Sequence, residues 1–285
     1  MRAITFHGVG DVRVQDVAEP KVVDPTDVVL KITTSAVCGS DLHQYHGRGG
    51  ALVQTGAVMG HEFMGTVEDL GPAVKQVRRG DRVIVPFSVS CGQCEWCQRR
   101  LPTQCATTGR AVFGAGPVGL LAVQSAQLFG PARLFAVDRV DYRLKLAEEF
   151  GAEPVNLDRG DPAEQLRRLT GGRGPDVVLE CVGHETPFTQ AIQAVRAGGT
   201  VASVGVYVEP SLGFPAREAF FKDLTLKMGI CNARNYMTPL LPLVRVGKLK
   251  PARIITHTMA LADAPKGYAI FDRKEDRAVK VMLRP

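Results

Sequence analysis

The sequence lacks the features that place a chain in a membrane or mark it for secretion. No uninterrupted apolar run approaches the roughly 20 residues that span a bilayer, and the opening stretch has no apolar core of signal-peptide length. Low-complexity segments and internal repeats are also absent. We therefore expect a cytoplasmic protein with no membrane partner.

The sequence also lacks a concentrated basic patch. The net charge is +6, but acidic or apolar positions interrupt the densest basic runs, at residues 75–82 and 273–277. A nucleic-acid-binding surface needs basic residues clustered on one face or along one helix. We expect no nucleic-acid partner and attribute the excess charge to a solvated surface that attracts an anionic cofactor.

The rhythm of apolar residues changes near residue 110. Before it, short β-branched runs such as residues 28–32 and 82–85 alternate with Gly, Pro and Asp turn signals, which is typical of a β-rich domain. After it, apolar strands alternate with amphipathic helices, which is typical of βαβ units on a parallel sheet. The strands are predicted at 111–113, 134–137, 176–180, 200–204 and 224–228, and the helices at 118–129, 142–150 and 188–196.

Four of the seven cysteines lie within one short stretch, at Cys91, Cys94, Cys97 and Cys105. In a reduced compartment such spacing indicates metal binding before disulfides. Four thiolates can close a tetrahedral shell around Zn²⁺ and exclude water, which is typical of a structural metal. Chance clustering and an iron–sulfur centre remain as alternatives.

A dinucleotide-binding motif follows soon after Cys105. Gly114, Gly116 and Gly119 have the Gly-x-Gly-x-x-Gly spacing, with Pro117 and Val118 between the last two glycines. The spacing assigns a tight turn to Gly114, close approach to the pyrophosphate to Gly116 and close helix packing to Gly119. A glycine turn that binds nothing is the alternative.

An acidic residue stands where this motif requires one. Asp138 ends the next predicted strand, about 20 residues after the glycines, where a carboxylate accepts hydrogen bonds from the adenosine ribose. A carboxylate there repels the additional phosphate of NADP and so favours NAD. Arg139 and Arg143 lie close by and would weaken that preference.

A second group of candidate metal ligands occurs near the amino terminus. Cys38 and His43 lie in one segment, and His61 and Glu62 lie in another. A buried thiol with unrelated surface or core histidines would also explain these residues. Taken alone, they do not separate the two interpretations.

The order of these motifs resembles the zinc-containing medium-chain alcohol dehydrogenases: residues 38–43, residues 60–62, the four cysteines and then the glycine motif. The resemblance implies an α/β protein with two parts. A GroES-like β-rich catalytic domain, residues 1–109 and 238–285, is combined with a Rossmann domain, a doubly wound parallel sheet at residues 110–237. Residues 86–105 and 232–285 are most similar to the branch of formaldehyde and related alcohol dehydrogenases.

The resemblance also implies roles for individual residues. Cys38 and His61 would bind a catalytic zinc with Glu62 beside it, and Asp41 would orient a ligand histidine. Ser40 and His43 would carry the proton away. The nicotinamide and phosphate ends of the cofactor would be held by Val204, Gly205, Val206 and Lys280.

The chain departs from the family pattern after Cys105. In the family several dozen residues, including the third ligand of the catalytic zinc, separate the cysteines from the glycine motif. Here Ala111 follows almost at once, which truncates the catalytic domain, and Glu62 is the candidate replacement ligand.

The resulting expectation is a zinc-dependent oxidoreductase that transfers hydride between a small alcohol or aldehyde and NAD. The alternative is a non-catalytic NAD-binding member without a complete zinc site, and a zinc-free reductase is disfavoured by the matching cysteine and histidine positions. The strand at 224–228 would leave an open sheet edge, so we also expect a homo-oligomer, a dimer or a tetramer.

Overall fold

The computed structural model of the chain describes residues 1–48, 54–105 and 117–285. Within these ranges the chain forms two compact units. Unit 1 contains residues 1–105 and 255–285, and unit 2 contains residues 117–254. The predicted strand at 111–113 lies outside the described residues.

The described strands are β1 (Arg2–Gly8), β2 (Asp11–Asp16), β3 (Val28–Val37), β4 (Glu62–Leu70), β5 (Arg82–Val85), β6 (Phe135–Asp138), β7 (Glu153–Asn156), β8 (Val177–Glu180), β9 (Thr200–Ser203), β10 (Thr225–Met228), β11 (His257–Ala260) and β12 (Val281–Arg284). The described helices are α1 (Asp41–Tyr45), α2 (Glu95–Gln98), α3 (Val118–Ala126), α4 (Asp141–Glu149), α5 (Pro162–Leu169), α6 (Glu185–Ala194), α7 (Ala216–Phe221), α8 (Ala233–Arg245) and α9 (Ala264–Arg273). None of these helices combines the length and apolarity needed to cross a membrane.

Unit 1 is built on β-sheet. Its described residues form a five-stranded sheet in the order β11-β12-β3-β4-β5 and an antiparallel β1-β2 pair. Apolar side chains of the strands pack with those of α9 in one core, in which Val37, Tyr268, Val281 and Leu283 are at most 1% exposed. Burial of this apolar surface holds the tail of the chain against its amino-terminal part.

Unit 2 contains parallel strands connected through helices, as the sequence predicts. Among its described strands, β6 pairs with β7, and β8, β9 and β10 form a second sheet in the order β10-β9-β8. Helix α6 covers the second sheet, and Phe188, Ile192, Val195 and Val201 are at most 1% exposed there. The predicted strands at 176–180, 200–204 and 224–228 correspond to β8, β9 and β10.

The chain returns to unit 1 later than predicted. The sequence places this crossing at residue 238, but in the structure it follows Ile254. Two hydrogen bonds explain the difference, because the side-chain amide of Gln124 in α3 pairs with both backbone groups of Lys250, at 2.9 Å and 3.4 Å. These bonds keep residues up to 254 with unit 2.

Helix α8 begins at Ala233 and contains both Pro239 and Pro242, although proline is favoured only in the first turn of a helix. None of its residues is buried. Both prolines are exposed to solvent.

Candidate metal centres and cofactor site

Residues from two separate segments of unit 1 meet at one end of the sheet. Cys38 directly follows β3, and His61 directly precedes β4. These strands pair antiparallel with Ala36 opposite Glu62, so the two segments lie side by side. Ligand atoms of Cys38, His61 and Glu62 all lie within 4.8 Å of one another. We call this group the Cys38 centre.

Asp41 holds the imidazole of His61 in a defined orientation. Its Oδ1 lies 3.0 Å from His61 Nδ1, and its Oδ2 accepts the Cys38 N–H at 2.9 Å. The Asp41 side chain is only 1% exposed. Burial by itself lowers the pKa of His61, but hydrogen bonds to Asp41 and Cys38 outweigh burial and raise that pKa to about 10.

The donor set of the Cys38 centre fits a zinc ion. Because Asp41 occupies Nδ1, the metal-ligating nitrogen of His61 would be Nε2, with the carboxylate orienting the ring from behind. Zinc bonds of about 2.3 Å to sulfur and about 2.1 Å to nitrogen place a tetrahedral sulfur–nitrogen pair about 3.6 Å apart. That separation lies inside the 4.8 Å limit met by these ligand atoms.

Ser40 and His43 flank the Cys38 centre. The side chain of Ser40 is fully buried, and its Oγ lies 3.2 Å from His61 Nε2. His43 lies on α1 and is half-buried, and burial lowers its pKa, with the positive charge of Arg48 acting in the same direction. Among the described residues, the predicted path from Ser40 to His43 has no direct side-chain hydrogen bond, so it stays a prediction.

Glu62 has a cationic partner that the sequence does not predict. The ammonium of Lys280 forms an ion pair with the Glu62 carboxylate and donates a hydrogen bond to the Val37 carbonyl at 3.1 Å. Lys280 is only 9% exposed. Its described contacts therefore lie beside the Cys38 centre, and the predicted contact with the cofactor stays a prediction.

The four cysteines form a second and separate cluster in unit 1. Their sulfurs all lie within 4.8 Å of one another, and the Sγ of Cys105 lies 3.6 Å from that of Cys91 and 3.8 Å from that of Cys94. Backbone N–H groups of Cys91, Gln93 and Cys94 point at sulfurs of the cluster at 3.4–3.5 Å. None of the seven cysteines, all of which lie in the described ranges, forms a disulfide.

This arrangement fits a tetrahedral Zn²⁺ bound by four sulfurs. Zinc–sulfur bonds of about 2.3 Å give a tetrahedron with edges of about 3.8 Å, close to the sulfur separations found here. Burial and the three neighbouring thiols raise the pKa of Cys97 to about 11. A bound cation would reverse this effect, because a metal stabilises the thiolate form.

Part of the predicted dinucleotide site can be located in unit 2. Gly114 and Gly116 lie outside the described residues, whereas Pro117 and Val118 begin helix α3. Among the described residues, a Cβ built on Gly119 would meet only the Cys181 Cβ, at 3.9 Å, an ordinary contact distance. The close helix packing predicted at Gly119 stays a prediction.

Asp138 occupies the carboxyl end of β6, the edge at which parallel sheets bind cofactors. Its Oδ1 accepts the N–H groups of Arg139 and Val140 at 2.7 Å and 2.9 Å, which fixes the direction of the carboxylate. Arg143 lies in the first turn of α4, with its guanidinium 5.9 Å from the centre of the Tyr142 ring.

Val204, Gly205 and Val206 directly follow β9, also at the carboxyl end of a parallel strand. The backbone N–H groups of Val204 and Gly205 donate to the Glu180 carbonyl at 2.9 Å and 3.2 Å. Glu180 is not among the functional residues that the sequence predicts. The available signal was an acidic residue at the end of the apolar run of β8.

Two family models match the chain in the order expected from its two units. The model for the alcohol dehydrogenase GroES-like domain matches residues 24–131, and the model for zinc-binding dehydrogenases matches residues 117–245. Together with the cysteine cluster and the Cys38 centre, these matches define a two-domain, zinc-binding dehydrogenase.

Relatives extend the likeness over the whole chain. A zinc-type alcohol dehydrogenase-like protein of Bacillus subtilis strain 168 is 31% identical over 380 aligned positions, with 100% of both chains covered. The structure of the alcohol dehydrogenase from Thermus sp. ATN1 is 33% identical and matches with a TM-score of 0.90, over 100% of this chain and 99% of that chain. The structure of an NAD-dependent alcohol dehydrogenase is 25% identical and matches with a TM-score of 0.80, with 100% of both chains covered.

The chain therefore belongs to the zinc-type medium-chain alcohol dehydrogenase family. The predictions of an α/β fold, with a GroES-like domain and a Rossmann-type NAD-binding domain, are confirmed. The protein is an oxidoreductase enzyme of a zinc-dependent family, and its cysteine cluster fits a structural zinc.

Proposed function

We propose that the protein transfers hydride between a small alcohol or aldehyde and NAD, with unit 1 as the catalytic part and unit 2 as the cofactor-binding part. The observation that carries this proposal is the Cys38 centre. A thiol and an imidazole from distant segments converge there, and a buried carboxylate fixes the imidazole. This arrangement is typical of a metal that takes part in chemistry, because catalytic zinc keeps a position open for water or substrate.

In this proposal Cys38 and His61 hold the zinc, and a bound zinc supplies Lewis acidity that lowers the pKa of the substrate hydroxyl. Asp41 lies against His61 Nδ1, so Nε2 is the nitrogen from which a binding zinc would displace the proton. The buried hydroxyl of Ser40 would accept the substrate proton while giving up its own, which His43 would take and pass towards solvent. Burial lowers the pKa of His43, which favours the neutral imidazole that can accept a proton.

The proposed cofactor is NAD, which would supply the hydride acceptor. Gly114, Gly116, Pro117, Val118 and Gly119 would form the segment that binds its pyrophosphate at the N-terminal end of α3. Asp138 accepts hydrogen bonds from the adenosine ribose, and its fixed carboxylate disfavours the additional phosphate of NADP. Arg143, on the adjacent helix, and Lys280 are further proposed contacts, and Val204, Gly205 and Val206 would hold the nicotinamide end.

Glu62 is the proposed third ligand of the catalytic zinc. Its carboxylate oxygen already lies within 4.8 Å of the ligand atoms of Cys38 and His61, and a carboxylate is an accepted zinc ligand. The Glu62 carboxylate, which is paired with Lys280, would have to bind the metal in addition to the ammonium group or in place of it. Metal analysis of a Glu62 variant therefore tests this ligand set directly.

Zinc content measured with NAD-dependent activity tests the proposal. We expect about two zinc ions per chain in the purified protein, falling to about one in Glu62→Gln, because only the cysteine cluster would stay occupied. Glu68→Gln is the matched control, since Glu68 lies on the same strand with an exposed side chain. Two zinc ions in both variants would remove Glu62 from the ligand set.

The activity assay uses ethanol or formaldehyde with NAD and NADH, and NADP in parallel. Turnover with NAD, at a higher rate than with NADP, would support the proposal. Binding of NAD without turnover on either substrate, in a sample with about one zinc per chain, would instead identify a non-catalytic cofactor-binding protein.

We also propose that the chain belongs to the formaldehyde and related alcohol dehydrogenase branch and lacks an internal segment after Cys105. The alignment with the Bacillus subtilis relative supports the missing segment. It has 380 positions and covers both chains fully, so that relative has many residues with no counterpart among the 285 residues of this chain. The intact mass of the native protein tests it. A mass larger than that of the printed sequence would contradict the missing segment.

We propose a homo-oligomer, a dimer or a tetramer, in which β10 covers its open edge. All four residues of β10 are exposed, and the strand lies at the end of the described β10-β9-β8 sheet. Unpaired edges favour pairing with a second chain. Native mass spectrometry should detect dimers or tetramers, and a monomer alone at micromolar concentration would contradict this proposal.

A further inference from the structure

Unit 2 contains a buried carboxylate that joins two loops at the edge of the parallel sheet. Glu180 ends β8 and is 4% exposed. Its Oε1 accepts the N–H groups of Val182 and Gly183 at 2.7 Å and 2.9 Å. Its Oε2 accepts the hydroxyls of Ser203 and Tyr207 at 2.7 Å and 2.8 Å. One side chain therefore binds both the segment after β8 and the segment after β9.

The backbone of Glu180 reinforces the same connection. Its carbonyl accepts the N–H groups of Val204 and Gly205, so six hydrogen bonds converge on this residue. Glu180 is opposite Ser203 in the register of the parallel pair β8-β9. The connection therefore lies at the carboxyl ends of both strands, the edge at which α/β proteins bind ligands.

The two loops also touch without intervening side chains. A Cβ built on Gly205 would lie 2.1 Å from the Gly183 nitrogen, and one built on Gly183 would lie 2.3 Å from the Val206 oxygen. Gly183 also has a φ of +82°, which favours glycine. A shift of either loop would therefore be transmitted directly to the other.

The charge of Glu180 is compensated by neutral groups. Within the described part of the chain it forms no ion pair, and its four side-chain partners are two amides and two hydroxyls. A buried carboxylate is costly unless it is fully hydrogen-bonded, and four donors aimed at it meet that condition. The same donors would be left unpaired by an apolar residue.

We propose that Glu180 is a positioning residue for the nicotinamide half of the cofactor. It acts through Gly183 and residues 204–206, whose backbone it holds in place, and not by touching the cofactor. The inference rests on the proposed function, because it takes residues 204–206 as the nicotinamide-binding segment. The adenosine half depends on Asp138, on the separate β6-β7 pair, so the two halves of the cofactor should respond differently to loss of Glu180.

Binding measurements with whole and partial cofactors test this inference. Dissociation constants for NAD, NADH and AMP are measured by calorimetry on the full-length wild type, Glu180→Ala and Glu180→Gln. We expect Glu180→Ala to weaken NAD and NADH by about tenfold or more because the loops are no longer preorganised, and to leave AMP within about twofold. Glu180→Gln keeps an acceptor for the two amides and should stay within about threefold of wild type for all three ligands.

Two further variants control for a purely structural effect. Thr170→Val removes a partly buried hydrogen bond from the Gly174 N–H. This bond lies between α5 and β8, at the opposite end of that strand from Glu180. It should lower the melting temperature without changing NAD affinity. Tyr207→Phe removes a single hydroxyl partner of Glu180 and replaces Glu180→Ala in the experiment if that variant does not fold. We expect a smaller loss of affinity for NAD and NADH and no loss of affinity for AMP.

The outcomes separate the inference from the proposed function. Unchanged NAD affinity in Glu180→Ala, or an equal loss of AMP and NAD affinity, would overturn the positioning role while the cofactor assignment stands. A wild type that binds AMP but neither NAD nor NADH would overturn both.

Discussion

The two candidate metal centres of unit 1 differ in how the chain assembles them. The cysteine cluster draws all four sulfurs from residues 91–105, and N–H groups from the same stretch point at them. The Cys38 centre joins two segments that meet only because β3 and β4 pair in a particular register. The first centre is therefore a local structure, and the second is a product of the sheet.

The centres differ in chemistry as well. The cluster offers four thiolates and no room for a further ligand, which is typical of a structural zinc. The Cys38 centre mixes a thiol, an imidazole and a carboxylate, and two buried charged residues, Asp41 and Lys280, act on those ligands from outside. Residues that contact the ligands of a metal in this way can adjust its reactivity, whereas the cysteine cluster needs only to bind a structural ion with its four thiolates.

The largest effect is expected when the local centre is broken. Cys94→Ser replaces a thiolate by a weak ligand, so zinc content should fall by about one ion per chain. Because a structural zinc contributes to folding, the melting temperature should fall by roughly 5 °C or more. Elemental analysis and thermal unfolding measure both. Cys231→Ser is the control, since this cysteine is exposed and belongs to neither centre.

Breaking the second centre should affect activity more than folding. His61→Ala should lose the other zinc, retain the zinc of the cysteine cluster, and lower kcat/KM by about a thousandfold, as expected when a Lewis acid worth several kcal/mol is lost. His257→Ala is the control, because His257 also pairs with a carboxylate of unit 1, Asp276, at 3.1 Å. Full zinc content in His61→Ala would contradict the assignment of the centre.

A smaller effect is expected from the carboxylate behind the imidazole. Asp41→Asn leaves every proposed ligand in place but weakens the orientation of His61, so zinc affinity at this centre or activity should fall about 10- to 100-fold. Asp272→Asn is the control, because Asp272 Oδ1 lies 2.8 Å from His46 Nε2 in a carboxylate–histidine pair outside the centre. It should change neither zinc affinity nor activity. Equal loss of zinc to a competing chelator in the two variants would contradict the role of Asp41 in orienting His61.

Several parts of the fold could be predicted because their signals are local. Ligand spacing identified the cysteine cluster, and apolar periodicity located β8, β9 and β10 of the parallel sheet. Helix α5 was missed although its signal was present, since Asp161 caps it by accepting the Glu164 N–H at 2.8 Å and Pro162 begins it. Capping residues and the first-turn proline would have indicated this helix.

The sequence by itself therefore determined the family, the cysteine cluster and the alternation of strands and helices, because ligand spacing and side-chain periodicity act over a few residues. Only the tertiary structure decided that Lys280 lies against Glu62, that Glu180 connects the loops after β8 and β9, and that the chain leaves unit 2 after Ile254. Each of these depends on contacts between segments far apart in the chain. Sheet register and buried hydrogen bonds bring such segments together, and no local pattern records them.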